Sequence, residues 1–145
     1  MTSLKHSGLL HQGKHNKTLR LDLIHQGYVP ETLEPRLKPV YLLGEAGLLS
    51  RPIIGIVGSR HASPQGMADS FWFAKELARA GCVIVSGLAV GIDAAAHRGA
   101  ISVGRGTTIA VVAHGFSFCY PARHQLLRDE LLDSGGTLIS EYEPN

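Results

Sequence analysis

The sequence predicts an α/β fold in which helices cover both faces of a parallel β-sheet. Two observations carry this prediction. Apolar runs of four to six residues alternate with longer helical stretches, and few polar residues interrupt the runs. Continuous apolar runs are typical of strands buried on both faces. With 145 residues, 44% of them hydrophobic and 18% charged, the chain has room for one domain with its own core.

The first strand and helix of this pattern have clear boundaries. Residues 53–57 read IIGIV, which is rich in β-branched residues. Ser63 before Pro64 predicts a helix start, because a serine hydroxyl caps free N–H groups and proline suits the first turn. Gly81 predicts the end of that helix.

The remaining elements continue the alternation, and they are predicted as a strand at 82–85, a helix at 93–103, a strand at 107–113, a helix at 121–134 and a strand at 137–140. Short links between parallel strands require right-handed crossovers. The sequence therefore predicts a Rossmann-like, doubly wound domain with three layers, α/β/α.

Charge is distributed unevenly along the chain. The net charge of +2 divides into +3 for residues 1–27 and −1 for the rest, so the total does not indicate a basic nucleic-acid-binding domain. We expect residues 1–27 to form a poorly ordered basic arm. Residues 28–52 are predicted to be a linker with a short edge strand, and residues 53–145 to be the Rossmann-like domain.

Ligands of doubly wound sheets bind beyond the carboxyl ends of the strands, so the loops there are the candidate sites. Gly58, Ser59 and Arg60 follow the first strand and precede a helix start. Free N–H groups at a helix start and a guanidinium group together predict an anion site. The glycine spacing does not fit GxGxxG and no Walker lysine motif occurs, which disfavours a nicotinamide or ATP enzyme.

The loop after the second strand is bounded by Ser86, Gly87 and Gly91, and Asp93 and His97 follow on one helical face. One interpretation of the last two residues is an acid/base pair. We favour the other, in which Asp93 is stabilised at the helix start and His97 is a hydrogen-bonded structural residue.

Together these loops resemble the bacterial DNA-processing A (DprA/Smf) family. The most specific match is SGLAVGID at residues 86–93, and the resemblance is collinear over residues 39–143. The other matching motifs are GSR at 58–60, SPQG at 63–66, AH at 96–97, TIAV at 108–111, YP at 120–121 and SEY at 140–142.

The resemblance implies a DNA-binding protein, not an enzyme. Family members bind single-stranded DNA, protect it during natural transformation, load the RecA recombinase and act as dimers without a metal or nucleotide cofactor. A cytoplasmic location is expected, since no apolar stretch approaches the roughly 20 residues of a membrane span. The residues that the resemblance assigns to DNA binding are Gly58, Ser59, Arg60, Ser86, Gly87 and Gly91. Asp93 and His97 are expected to be loop scaffold.

The family pattern continues beyond residues 140–142 into a segment rich in phenylalanine and arginine that completes the DNA pocket. We therefore expect a C-terminally truncated domain with impaired function. One alternative is a nucleotide-processing enzyme of the phosphoribohydrolase (lysine-decarboxylase-like) type, whose glycine-rich segment follows a strand, whereas Gly135 and Gly136 precede one. Another is an interaction fragment whose exposed sheet edge mediates association.

Overall fold

The fold is built on one mixed β-sheet, seen in a computed structural model that describes residues 7–13, 16–21 and 39–145. The strands are β1 Ser7–Gly13, β2 Asn16–Leu21, β3 Val40–Gly44, β4 Ile53–Gly55, β5 Val83–Ser86, β6 Thr108–Val111 and β7 Thr137–Ser140. The helices are α1 Pro64–Arg79, α2 Ile92–Ile101 and α3 Gln125–Asp133, with 3₁₀ segments at Ala46–Ser50 and Ala122–His124.

The strand order in the sheet is β1-β2-β3-β7-β6-β5-β4. Strands β4 to β7 are parallel, and β3 joins β7 in the antiparallel sense. The predicted order of elements from β4 to β7 is thus confirmed, and so is the Rossmann-like α/β class.

The three helices lie on the same face of the sheet. Because β4, β5, β6 and β7 follow one another across the sheet in one direction, successive right-handed crossovers bring every connecting helix to one side. Accordingly α2 contacts both α1 and α3. The core on this face includes Ile84, Ala110 and Leu138.

The opposite face differs from the prediction of a second helical layer. Among the described residues its cover is the 3₁₀ segment Ala46–Ser50, which packs Leu48 against Val83 and Ile109. Ile53 and Val111 remain 44% and 48% exposed. In this part of the chain helices α1 to α3 therefore cover one face, where the sequence predicted helices on both, because β4 to β7 follow one another across the sheet in a single direction.

The N-terminal region also differs from the prediction. The described parts of the predicted poorly ordered arm, β1 and β2, pair with each other, and β2 pairs with β3. The expected edge strand β3 is an internal strand between β2 and β7. Backbone pairing with a neighbouring strand organises these polar segments, which local composition does not reveal. The rest of residues 1–27 and residues 28–38 of the predicted linker lie outside the described residues.

A close contact between α1 and α2 positions the loops at the carboxyl end of the sheet. A Cβ atom at Gly99 would overlap the carbonyl oxygen of Phe71, so only glycine allows this approach. The Ser70 hydroxyl donates to the Ile92 carbonyl at 2.9 Å. The first turn of α2 is therefore held against the second turn of α1, near the carboxyl ends of β4 and β5.

Candidate nucleic-acid interface

A cleft of about 630 Å³ opens where β4, β5 and β6 end. Its lining is Arg60, His61, Gly87, Ala89, Val90, Val111, Val112, Ala113, His114, Phe118, Tyr120, Pro121 and Arg123. The described lining contains two guanidinium groups and two imidazole rings but no carboxylate. Cationic groups beside exposed aromatic rings are the side chains that bind a phosphate backbone and its bases.

The β4 loop, residues 56–63, presents polar side chains to solvent. Ser59, Arg60 and His61 are all exposed, and the Ser59 hydroxyl accepts the His61 N–H at 3.0 Å. Ser63 caps α1 by accepting the Gly66 N–H at 3.1 Å. Arg60 therefore stands at the rim of the cleft beside a helix start, as the sequence predicted for an anion site.

The β5 loop, residues 87–91, is fixed to the β4 loop by its backbone. The buried Asp93 carboxylate accepts the Gly58 N–H at 3.3 Å and the Gly87 N–H at 2.9 Å. The Ile92 N–H donates to the Ser59 carbonyl at 3.2 Å. Gly91, with φ at +82°, lies against the same carbonyl, where any side chain would overlap it.

The centre of the β5 loop is held between two buried histidines. Leu88 has φ at +59°, which is rare for a large side chain. Its N–H donates to His97 Nε2 at 3.3 Å, and its carbonyl accepts from His124 Nδ1 at 2.8 Å. Complete burial lowers the pKa of His97 to about 4, against the opposing effect of nearby Asp93, so His97 is neutral near pH 7.

The β6 loop, residues 112–121, supplies the aromatic wall of the cleft. The rings of His114 and Phe118 stack with centroids 4.7 Å apart and planes inclined by 30°. The Tyr120 N–H donates to His114 Nε2 at 3.4 Å, while His114 Nδ1 donates to the Gly115 carbonyl at 2.6 Å. Phe118 and Tyr120 are 55% and 64% exposed. Two rings are thus available for stacking with a ligand.

Of the six predicted DNA-contacting residues, Arg60 and Gly87 line the cleft. Ser59 is exposed beside it, and Gly58 packs against the Ile92 side chain. Ser86 needs a correction, because it is only 2% exposed and its hydroxyl donates to the Ile56 carbonyl at 2.7 Å. Its hydroxyl joins β5 to the chain just after β4 and is not open to a ligand.

Four residues that line the cleft are not among those predicted from the sequence: His114, Phe118, Tyr120 and Arg123. The rule that ligands bind beyond strand ends applies to the β6 loop as well and could have drawn attention to it. Among the residues that the structure describes, no group of three or more metal-ligating side chains occurs. Within the same residues, no helix is both long enough and apolar enough to span a membrane.

Comparison with known proteins identifies the class to which this fold and cleft belong. The sequence model of the family DNA recombination-mediator protein A matches residues 24–145, and the chain belongs to this family. It is 38% identical over 117 residues to protein Smf of Escherichia coli, covering 79% of this chain and 31% of Smf. It is 42% identical over 108 residues to DNA processing protein DprA of Streptococcus pneumoniae, covering 73% of this chain and 37% of that protein. The chain thus spans about a third of these relatives.

Solved structures give the same result for the fold. DNA processing protein A of Helicobacter pylori, whose structure was described for its single-stranded DNA binding mode, superposes with a TM-score of 0.71 at 29% identity. That superposition covers 87% of this chain and 56% of the other. DprA of S. pneumoniae superposes with a TM-score of 0.70 at 33% identity, covering 91% of this chain and 45% of the other.

Proposed function

We propose that this chain binds single-stranded DNA in the cleft at the ends of β4, β5 and β6. The observation that carries the proposal is the combination of Arg60 and Arg123 with the exposed rings of Phe118 and Tyr120 in one cavity. Guanidinium groups bind phosphates in any sequence, and aromatic rings stack on any base. Binding with little sequence preference is the expected result.

The preference for single strands follows from the position of the rings. A base can stack on Phe118 or Tyr120 only if it is not already paired and stacked inside a duplex. The rigid backing of Phe118 by His114 limits the entropy lost when a base binds. The DNA-contacting residues are therefore Arg60, Arg123, Phe118 and Tyr120, with the Gly87 backbone close enough to approach the strand.

Binding without catalysis is the role that the buried groups support. Asp93 and His97, the one acid/base pair suggested by the sequence, are buried and hydrogen-bonded to loop backbone. We assign them, with Gly58, Ser86 and Gly91, to the scaffold of the two loops. The alternative of a phosphoribohydrolase-like enzyme has less support, because Gly135 and Gly136 precede β7 and so lie at the other end of the sheet from the cleft.

We further propose that this chain takes part in DNA processing in natural transformation, in the cytoplasm, as part of a dimer that loads RecA. Family membership supports this role. Retention of purified RecA on the tagged chain loaded with oligonucleotide tests the recombinase contact, and sedimentation tests the dimer. If RecA is not retained on the loaded chain, the proposed RecA contact is rejected for this chain. If the chain sediments as a monomer at all concentrations, the proposed dimer is rejected.

A titration with labelled oligonucleotides tests the cleft directly. We expect a single strand to bind more tightly than a duplex of equal length, and Phe118→Ala to weaken binding by about 1–3 kcal/mol if one base stacks on the ring. Phe73 is a matched control, since it is exposed to the same extent on α1, outside the cleft. Equal binding of duplex, or an equal loss in Phe73→Ala, would reject the proposal.

Incubation with nucleoside monophosphates and a chromatographic search for free base tests the enzyme alternative. The proposal predicts no release above the level of a buffer blank. Release of base that saturates with substrate concentration would favour the phosphoribohydrolase interpretation instead.

A further inference from the structure

The β5 loop is fixed by hydrogen bonds to both backbone polar groups of one residue, Leu88. Leu88 is fully buried, yet its backbone takes the left-handed conformation, with φ at +59°. Such a conformation persists in a large residue only where the surroundings over-determine it. The flanking residues Gly87, Ala89 and Val90 all line the cleft. The conformation of Leu88 therefore controls the shape of one cleft wall.

The donors and acceptors around Leu88 fix the state of both histidines. His97 Nε2 accepts the Leu88 N–H, so the ring proton lies on Nδ1 and donates to the Thr108 hydroxyl at 2.8 Å. That hydroxyl in turn donates to the Ile84 carbonyl at 2.8 Å. On the other side His124 Nδ1 donates to the Leu88 carbonyl, which can only accept.

The two histidines belong to different parts of the fold. His97 lies on α2, and His124 ends the 3₁₀ segment Ala122–His124 that follows the β6 loop. His97 is anchored to β6 and, through Thr108, to β5. His124 also directly follows Arg123, which lines the cleft. The network thus connects the β5 loop to the chain segment that ends the aromatic wall.

We propose that His97 and His124 are positioning residues that hold the β5 loop in the shape that binds DNA. This inference rests on the proposed function of the cleft. Neither side chain lines the cleft, so both act through the backbone of Leu88. Losing one hydrogen bond lowers the population of the binding shape and raises the apparent Kd by the same factor.

The test compares isosteric pairs. His97→Leu and His124→Leu keep volume but remove the bond to Leu88. His97→Gln restores an acceptor near the Nε2 position, and His124→Asn restores a donor near the Nδ1 position. We expect each leucine variant to raise the Kd for an oligo-dT strand about five- to tenfold, and each amide variant to recover most of that loss. Ala78→Gly, on the buried face of α1, is a control for lost stability.

Two readouts separate positioning from general destabilisation. The salt dependence of binding should keep its wild-type slope in every histidine variant, because no phosphate contact is removed. Hydrogen exchange at the Leu88 amide should be slow in the wild type and accelerate in His97→Leu. Ala78→Gly should change neither the Kd nor the exchange rate of the Leu88 amide, even where it loses as much stability as the leucine variants do.

The inference is overturned if the leucine variants bind as the wild type does, or if Ala78→Gly loses as much affinity. It is also overturned if the amide variants recover nothing. If the wild type fails to bind oligo-dT, the proposed function fails. Leu88 exchange then decides separately whether the histidines hold the loop, and unchanged exchange in His97→Leu would show that they do not.

Discussion

The β4 and β5 loops both follow strand ends and both contain glycine, yet they differ in what they expose. The β4 loop presents Ser59, Arg60 and His61 to solvent. The β5 loop buries Leu88 and is held by its backbone, with hydrogen bonds to Asp93 and His97. The difference shows how a small domain can keep a cationic side chain accessible. The fixed backbone of the β5 loop supports the β4 loop, so Arg60 can stay exposed.

The largest effect should come from Gly91→Ala, which breaks the contact between the two loops. An added Cβ would overlap the Ser59 carbonyl oxygen, and φ at +82° is unfavourable for alanine. We expect a loss of about 3 kcal/mol in the free energy of unfolding, measured by urea titration. Gly47→Ala is the control, since its Cβ would have no atom within 4 Å. Equal stability of the two variants would contradict this account.

The pH dependence of stability tests how firmly the β5 loop is tied to a neutral histidine. The pKa of His97 falls from 6.5 to about 4 in the folded chain, so between these values the unfolded state binds more protons. Stability should therefore decrease as the pH falls from about 6.5 to 4, by up to about 1.4 kcal/mol per pH unit. Urea titrations at several pH values give the unfolding free energy as a function of pH, and this dependence should be shallower in His97→Gln than in the wild type. An identical slope in both proteins would exclude His97 as the cause.

A smaller effect is expected from Asp93→Asn, because the amide keeps one acceptor while its NH₂ group faces the second N–H. One of the bonds to Gly58 and Gly87 is then lost, at a cost of about 1–2 kcal/mol. Thermal unfolding measures this loss. Asp69→Asn, on the exposed side of α1, is the control and should change stability by less than half as much. A variant as stable as the wild type would mean that the carboxylate does not hold the loops.

Sequence reasoning was most successful where the signals are local. Runs of β-branched residues, the Ser63-Pro64 start and the glycine after α1 predicted the strands and helices from β4 to β7, because each depends on its own residues. The resemblance to DNA-processing proteins also rests on contiguous motifs such as residues 86–93. The family match confirms it.

The errors arose where the outcome depends on partners distant in sequence. Pairing of β2 with β3, and of β3 with β7, depends on strands that meet only in the folded sheet. The order of strands, which no local signal encodes, determines that the helices share one face. Ser86 was assigned to DNA because its motif is in a binding loop, but the side chain alternates inward and bonds to Ile56.

The site was predicted in part for the same reason. Arg60 and Gly87 follow strands whose ends were easy to locate, and both line the cleft. The stacked pair of His114 and Phe118 depends on a loop that folds back on itself, and His124 reaches Leu88 across 36 residues of sequence. Such contacts are set by tertiary packing, and the sequence pattern carries no periodic signal for them.

Arg60→Ala gives the most direct test of the central claim, that exposed cations of this cleft bind the DNA backbone. Removing an exposed side chain should leave the unfolding free energy within about 0.5 kcal/mol of the wild type. The measurement is the Kd for an oligo-dT strand across a range of salt concentrations. We predict weaker binding and a log–log salt slope smaller in magnitude by about 0.7, the value for one lost phosphate contact on a single strand.

Arg105→Ala, an exposed arginine before β6 at the opposite end of the sheet, should keep the wild-type slope. Equal slopes for Arg60→Ala and the wild type, or the same reduction in Arg105→Ala, would contradict the account.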